Sequence, residues 1–162
     1  MGLLYPMIEC KDRVIEKILS SQAVVDLIND QEFKTAPAYC LLYKKVFPYA
    51  FIPDTVDAME TYICVETNIA NVKTDSICDV ELTIHILSHI SVMSTDFGTR
   101  IDVLADLIDT LINHSREFGI GKATPAERYP TSWSLPNYNY VARKLTYIIK
   151  NYNYRHGAGD YD

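Results

Sequence analysis

The sequence lacks any long apolar run. Its 162 residues are 48 % hydrophobic and 22 % charged, but no uninterrupted apolar segment approaches the roughly 20 residues that span a bilayer. No basic residue precedes Lys11, so we expect no signal peptide and no membrane partner. The length and composition suit one globular domain over residues 1–154, made in the cytoplasm, with a flexible tail over residues 155–162.

Cysteine pairs at metal-binding spacing are also missing. Cys10, Cys40, Cys64 and Cys78 are far apart and form no Cys-x-x-Cys pair. We therefore expect four reduced thiols, most of them buried, and no cysteine metal site.

Clustered positive charge is scarce. The net charge is −6, and no basic cluster is larger than Lys44-Lys45. This balance argues against a surface that binds nucleic acid, because such surfaces depend on many phosphate contacts. It remains compatible with DNA that passes nearby without being held.

Recognisable catalytic motifs are absent as well. His85 and His89 are four residues apart on an apparent strand, where their Cα atoms would be about 13 Å apart, too far to share one metal ion. Asp79 and Glu81 form a carboxylate pair on one strand face, but acid–base catalysis needs a cleft and a shifted pKa, and the sequence indicates neither. We predict no catalytic residue, no metal and no cofactor, and interpret the pair as part of a solvated acidic face.

What the sequence does contain is a long alternating segment, residues 76–92. Its even positions are mostly apolar: Cys78, Val80, Leu82, Ile84, Ile86, Ser88, Ile90 and Val92. Its odd positions are mostly polar: Asp79, Glu81, Thr83, His85, Leu87, His89 and Ser91. Successive strand side chains point to opposite faces. The pattern predicts a strand with one buried and one wet, acidic face.

The remaining elements follow from periodicity and from the turn-forming residues. Over residues 10–30 we predict a helix, a break at Ser20-Ser21 and a second short helix. An edge segment follows at residues 45–49, and then a strand over residues 58–72 that forms a hairpin with the alternating segment. The C-terminal half is predicted to contain a helix over residues 96–114, a loop over residues 124–137 and a closing strand over residues 140–153. The predicted fold class is α+β, with a mostly antiparallel sheet and helices on its apolar face.

The helix predicted over residues 96–114 has a one-sided apolar stripe. Its members are Ile101, Leu104, Leu107, Ile108, Leu111 and Ile112. Thr95 or Asp96 is the expected N-cap. Asp102, Asp106 and Asp109 are placed mostly on the opposite, solvent-facing side.

Tyrosine is abundant, with twelve residues, and is concentrated with the single tryptophan in the C-terminal third. Its large apolar body and polar tip favour protein–protein interfaces. Strand propensity alone is the other explanation. The interface candidates are Trp133, Tyr138, Tyr140, Tyr152 and Tyr154.

The order of these parts resembles the tail terminator, or tail completion, proteins of long-tailed bacteriophages. The resemblance covers residues 10–154 and is carried by Lys45-Val46-Phe47-Pro48-Tyr49 with Ile52-Pro53, Thr61-Tyr62-Ile63-Cys64-Val65-Glu66, Leu82-Thr83-Ile84-His85-Ile86-Leu87-Ser88-His89, Gly98-Thr99-Arg100-Ile101-Asp102 and Leu145-Thr146-Tyr147-Ile148-Ile149. Topology rather than any single motif defines this family.

The resemblance implies a structural, non-enzymatic virion protein at the head–tail junction, assembled in the host cytoplasm. It implies a homo-oligomeric ring of six subunits that contacts the tail tube protein and the head-completion or stopper protein. DNA would pass through the ring without specific binding, and we place Asp79 and Glu81 at its lumen. The alternatives are a head-completion, stopper or adaptor protein of the same neck, a small host-interacting or regulatory domain, and an enzyme.

Overall fold

The computed structural model describes residues 4–28, 37–51, 59–74, 76–126, 130–135 and 139–152. The helices are α1 (Tyr5–Ser20), α2 (Gln22–Ile28) and α3 (Arg100–Ile112). The strands are β1 (Val46–Phe47), β2 (Thr61–Thr74), β3 (Ile77–His89), β4 (Ser94–Thr95), β5 (Gly98–Thr99), β6 (Thr124–Pro125), β7 (Thr131–Leu135) and β8 (Tyr140–Tyr152). The tail predicted for residues 155–162 lies outside the described residues.

The alternating segment forms β3 at the centre of the main sheet, whose strand order is β1-β2-β3-β8-β6, with β7 also paired to β8. β3 is antiparallel to β2 and to β8 along nearly its whole length, and the short edge strand β1 is parallel to β2. The predicted hairpin, edge segment and α+β class are therefore confirmed. None of the helices in the described ranges is long and apolar enough to cross a membrane.

The even-numbered face of β3 forms the main core. Cys78, Val80, Leu82, Ile84 and Ile86 are each 0 % exposed. All three helices contribute buried side chains to the same cluster. Burial of each such aliphatic side chain contributes about 1.5–3 kcal/mol.

The break between the first two helices is confirmed. The backbone of Ser21 is extended, with ψ of 106°, and its N–H donates to the carbonyl oxygen of Ile18. Its own carbonyl oxygen accepts from the Val25 N–H at 3.0 Å, which opens α2. Cys10, Cys64 and Cys78 are buried, Cys40 is half-buried, and all four are free of disulfides.

The start of α3 differs from the prediction. Thr95 and Asp96 do not cap this helix, because residues 94–99 form the ribbon β4–β5 and α3 begins at Arg100. The aspartates are also less uniformly solvated than expected. Asp109 accepts a 2.7 Å hydrogen bond from the Tyr147 hydroxyl, and Asp102 pairs with Arg143. Both contacts join α3 to β8. The sequence alone does not show that these two elements are neighbours.

The segment predicted as a loop over residues 124–137 instead contributes β6 and β7 to the sheet. Thr124 pairs with Ile148, and Trp133 pairs with Ala142. Pro125 lies in β6 at the edge of the sheet, where proline is tolerated because an edge backbone need not donate on both sides. The backbone of β6 and of β7 pairs with the edge of β8. Because these pairings join residues far apart in the sequence, no local sequence pattern predicts them.

A pair of β3 substitutions tests the two faces of the strand. Leu82→Asp should abolish folding, because it buries an unpaired carboxylate in the apolar core. Glu81→Lys, at a half-buried position on the other face, should change the free energy of unfolding by less than about 0.5 kcal/mol. Circular dichroism during thermal unfolding measures both. Equal damage would contradict the assignment of faces. Thr83 is a poorer control than the alternation suggests, because it is 5 % exposed.

A second pair tests the packing of α3. Ile108→Ala should cost about 2–5 kcal/mol, because the side chain is 0 % exposed and its loss leaves a cavity. Asp106→Ala should cost less than about 0.5 kcal/mol, since Asp106 is exposed. Urea unfolding provides the comparison. A costly Asp106 would reveal a structural role that its exposure does not suggest.

Candidate assembly surface

The helices pack on one side of the sheet, and the odd-numbered side chains of β3 lie on the other, here called the outer face. Antiparallel pairing adds side chains from both neighbouring strands to this face, because directly paired residues point the same way. Opposite His85, for example, lie Cys64 of β2 and Lys144 of β8. The outer face is thus built from three strands, and its character differs between its two ends.

One end of the outer face is a second hydrophobic cluster, here called the aromatic end. The buried members are Phe47, Tyr62, Cys64, Leu87, Tyr140 and Ala142, with Phe51 packed against them. The Phe47 and Phe51 rings stack at 4.0 Å between centroids, and Tyr62 lies 6.1 Å from Tyr140. Burial raises the pKa of the Tyr62 hydroxyl and that of the Tyr140 hydroxyl, so both rings stay neutral.

A buried lysine completes the aromatic end. Lys45 is 1 % exposed, and its ammonium lies 2.9 Å from a Glu60 carboxylate oxygen and 5.6 Å from the centre of the Tyr62 ring. The Tyr62 hydroxyl donates to the same carboxylate at 2.6 Å. A buried charge is tolerated only when it is paired and hydrogen-bonded, so this network holds β1 to the start of β2.

The interface prediction for Tyr140 is therefore corrected. Tyr140 is 1 % exposed and packs against Tyr62 and His89 of its own chain, so it offers no surface to a partner. Trp133 and Tyr152 are 37 % and 52 % exposed and remain available. Tyr138 and Tyr154 lie outside the described residues.

The opposite end of the outer face is polar, and it is not the acidic wall that the alternation predicts. Asp79 is 6 % exposed rather than solvated, and its Oδ2 lies 2.9 Å from the Lys73 ammonium. Lys150 of β8 is paired with Asp79 in the register, and these residues line a pocket of about 360 Å³ with Lys122. Lysines from both neighbouring strands, β2 and β8, balance the acids, so this end carries mixed charge.

Glu81 is less buried than Asp79. It is half-buried on the polar end, between Asn68 of β2 and Ile148 of β8. Within the described ranges, no cation forms an ion pair with it. Glu81 is therefore the carboxylate of the predicted pair that remains open to a charge outside the chain.

His85 lies where the aromatic and polar ends meet. Its Nε2 is 3.2 Å from the Glu66 carboxylate, and its ring is 6.1 Å from Trp133 in an edge-to-face arrangement. Burial lowers its pKa, an effect that Glu66 opposes and Lys144 reinforces. His89 instead contacts Ser91 and Tyr140. No group of three or more metal-ligating side chains occurs among the described residues.

An apolar pocket at the same boundary was not anticipated from the sequence. Its volume is about 150 Å³, and it is lined by Ala50, Phe51, Cys64, His85, Leu87 and Trp133. Burial raises the pKa of the Cys64 thiol to about 11, so the wall carries no thiolate at neutral pH. The only trace in the sequence is Leu87, the one apolar residue among the polar positions of the alternating segment.

Comparison with known proteins gives a family and a similar fold. A chain in the virion of a native gene transfer agent particle superposes with a TM-score of 0.56 at 13 % sequence identity, covering 88 % of this chain and 93 % of that chain. At this identity the likeness concerns the fold. A search of curated protein sequences finds no significant match. The profile of the YomW family matches residues 21–149, from the start of the second helix to the closing strand. Because this match spans most of the sequence, the chain belongs to the YomW family.

Proposed function

We propose that this chain is a structural protein of a phage-type virion and forms a ring, of six copies, that terminates the tail tube at the head–tail junction. The observation that carries the proposal is the likeness to a gene transfer agent virion chain, 93 % of which is covered by this fold. Almost the whole of that virion chain thus has the same overall fold as this one. The phage-derived character of the YomW family supports the same role.

The surface is suited to an assembly protein. Large apolar side chains project from several separate parts of the chain, among them Met59 at 59 %, Phe97 at 90 % and Tyr152 at 52 % exposure. Aromatic residues and methionine are enriched at protein interfaces relative to the rest of the surface. A ring subunit between tail tube and head connector needs several such contacts: with its two neighbours and with the layers above and below.

The polar end of the outer face is the proposed wall of the DNA channel. Its acids Glu66, Asp79 and Glu81 are balanced by Lys73, Lys144 and Lys150. Nonspecific affinity for DNA comes mainly from cationic groups that displace counterions from phosphates. A wall with balanced charge, on which Glu81 is the carboxylate without a partner among the described residues, would hold DNA weakly and let it slide.

A head-completion, stopper or adaptor protein of the same neck is the second candidate. The likeness to a virion chain favours a structural role and leaves the layer open. Position along the neck distinguishes the two candidates. A tail terminator contacts the tail tube protein, whereas an adaptor or stopper contacts the portal side.

The first test is made on particles. In the virus that encodes this chain, deletion of its gene should leave filled heads and tails that do not join, and electron microscopy should place the protein at the junction of complete particles. The assembled ring should have about six times the 18.5 kDa mass of one chain. Normal, infectious particles without the chain would contradict the proposal.

The second test concerns the channel. Glu81→Lys should leave folding and particle assembly intact but slow DNA ejection, most strongly at low salt, because the added cation would attract phosphates and salt screens that attraction. Asp106→Lys makes the same charge change on the exposed side of α3, on the helical side of the sheet, and should leave ejection unchanged. If Glu81→Lys particles eject DNA at the wild-type rate at both ionic strengths, Glu81 does not line the channel.

A further inference from the structure

The most exposed aromatic side chain described in the protein is held out on a small ribbon. Phe97 is 90 % exposed at the tip of β4–β5, where it and Asp96 join the two strands. The turn is closed by the Thr95 hydroxyl, which donates to the Gly98 carbonyl oxygen at 2.8 Å and accepts from the Phe97 N–H at 3.3 Å. Gly98 has φ of 128°, a backbone conformation that residues with a Cβ atom rarely adopt.

The base of this ribbon is fastened to the body of the protein. The Arg100 N–H donates to the Met93 carbonyl oxygen at 2.7 Å, and its Nε donates to the Val92 carbonyl oxygen at 2.7 Å. The same guanidinium donates to the carbonyl oxygen of Leu27 at the end of α2. Phe97 is therefore presented on a preformed support, which reduces the entropy lost when it binds.

The apolar pocket on the outer face has the size of such a side chain. An apolar cavity of about 150 Å³ is large enough to hold benzene, and this pocket has a volume of about 150 Å³. Its wall also includes an unsatisfied group: the buried Nδ1 of His85 has no hydrogen-bond partner among the described residues. Trp133, at the rim, is 37 % exposed and would be covered by an occupant.

We propose that Phe97 of one copy of this chain inserts into the apolar pocket lined by His85 and Trp133 of the next copy. This inference rests on the proposed ring and names the contact that would build it. A head-to-tail contact between different surfaces of identical subunits produces a closed ring when the rotation per subunit is right. Phe97 and the pocket are two such surfaces.

Charge favours a second copy as the occupant. Exposed Asp96 stands beside Phe97 on the ribbon, and Lys144 stands beside His85 on the outer face. Within the described part of the chain, Lys144 has no ion-pair partner, while Glu66 is already engaged by His85. Insertion of Phe97 would bring Asp96 towards Lys144, and opposite charges at the rim of an interface set its orientation and its partner.

The first experiment measures self-association of the purified chain by sedimentation velocity and by the emission of Trp133, the single tryptophan. Association should move the emission to shorter wavelength as Trp133 loses water. Phe97→Ala should weaken association about thirtyfold, as for a central aromatic anchor, and leave the melting temperature unchanged. Tyr39→Ala removes an aromatic ring that is 73 % exposed on another element and should change neither readout.

The second experiment tests the direction of the contact. Ala50→Phe places a ring at the mouth of the pocket, at an exposed position, and should block it while leaving Phe97 free. Phe97→Ala and Ala50→Phe should each remain monomeric at concentrations where the wild type associates. Mixed together, they should form one-to-one dimers, because one variant supplies an intact pocket and the other an intact Phe97. Failure to form mixed dimers would overturn the head-to-tail contact.

The remaining outcomes separate this contact from the ring itself. A Phe97→Ala ring of wild-type mass would overturn the contact and leave the proposed function standing, whereas complete particles without the chain would overturn the proposed function. A wild-type chain that stays monomeric with unchanged Trp133 emission up to about 1 mM would overturn the second copy as the occupant. If the wild-type chain stays monomeric and Phe97→Ala particles nevertheless fail to join heads to tails, the occupant of the pocket is instead a neighbouring virion protein.

Discussion

The burial of one face of β3 is the constraint on which the rest of the structure depends. Leu82 and Ile84 are completely buried, and the strand is paired on both sides, so neither its backbone nor its apolar face is left in water. A sheet with a continuous apolar face needs a covering layer, which the three helices supply. The same geometry places every other β3 side chain on the outer face, where the proposed contacts with DNA and with a second copy lie.

The outer face combines the aromatic end with the polar end. At the aromatic end, buried Lys45 forms an ion pair with half-buried Glu60 beside the tilted rings of Phe47 and Tyr62, and loss of Glu60 would leave the buried lysine charge uncompensated. At the polar end, Asp79 and Lys73 pair across the β2–β3 hairpin. The apolar pocket lies where these two environments meet, beside His85, so a firmly packed cluster forms one wall of a surface that can receive a partner.

Much of the fold follows from local patterns. Alternation located β3 and β8, the spacing of apolar residues located α3, and Ser20-Ser21 located the break between α1 and α2, because each pattern reflects the period of its own element. The candidate site was harder to predict. Asp79 is buried by lysines from β2, β8 and the segment after α3, and Tyr140 is buried by rings from β1 and β2. Those neighbours are brought together only by strand pairing.

The sequence by itself determined which side of β3 enters the core beneath the helices, the α+β class and the free, mostly buried state of the cysteines, since these depend on periodicity and composition. The tertiary structure decided the charge of the outer face, the pairing of β6 and β7 with β8, the apolar pocket and the exposure of Phe97. The physical reason is that solvation and charge balance depend on all the side chains that surround a group. For Asp79 and for the pocket at His85, most of those side chains come from distant parts of the chain.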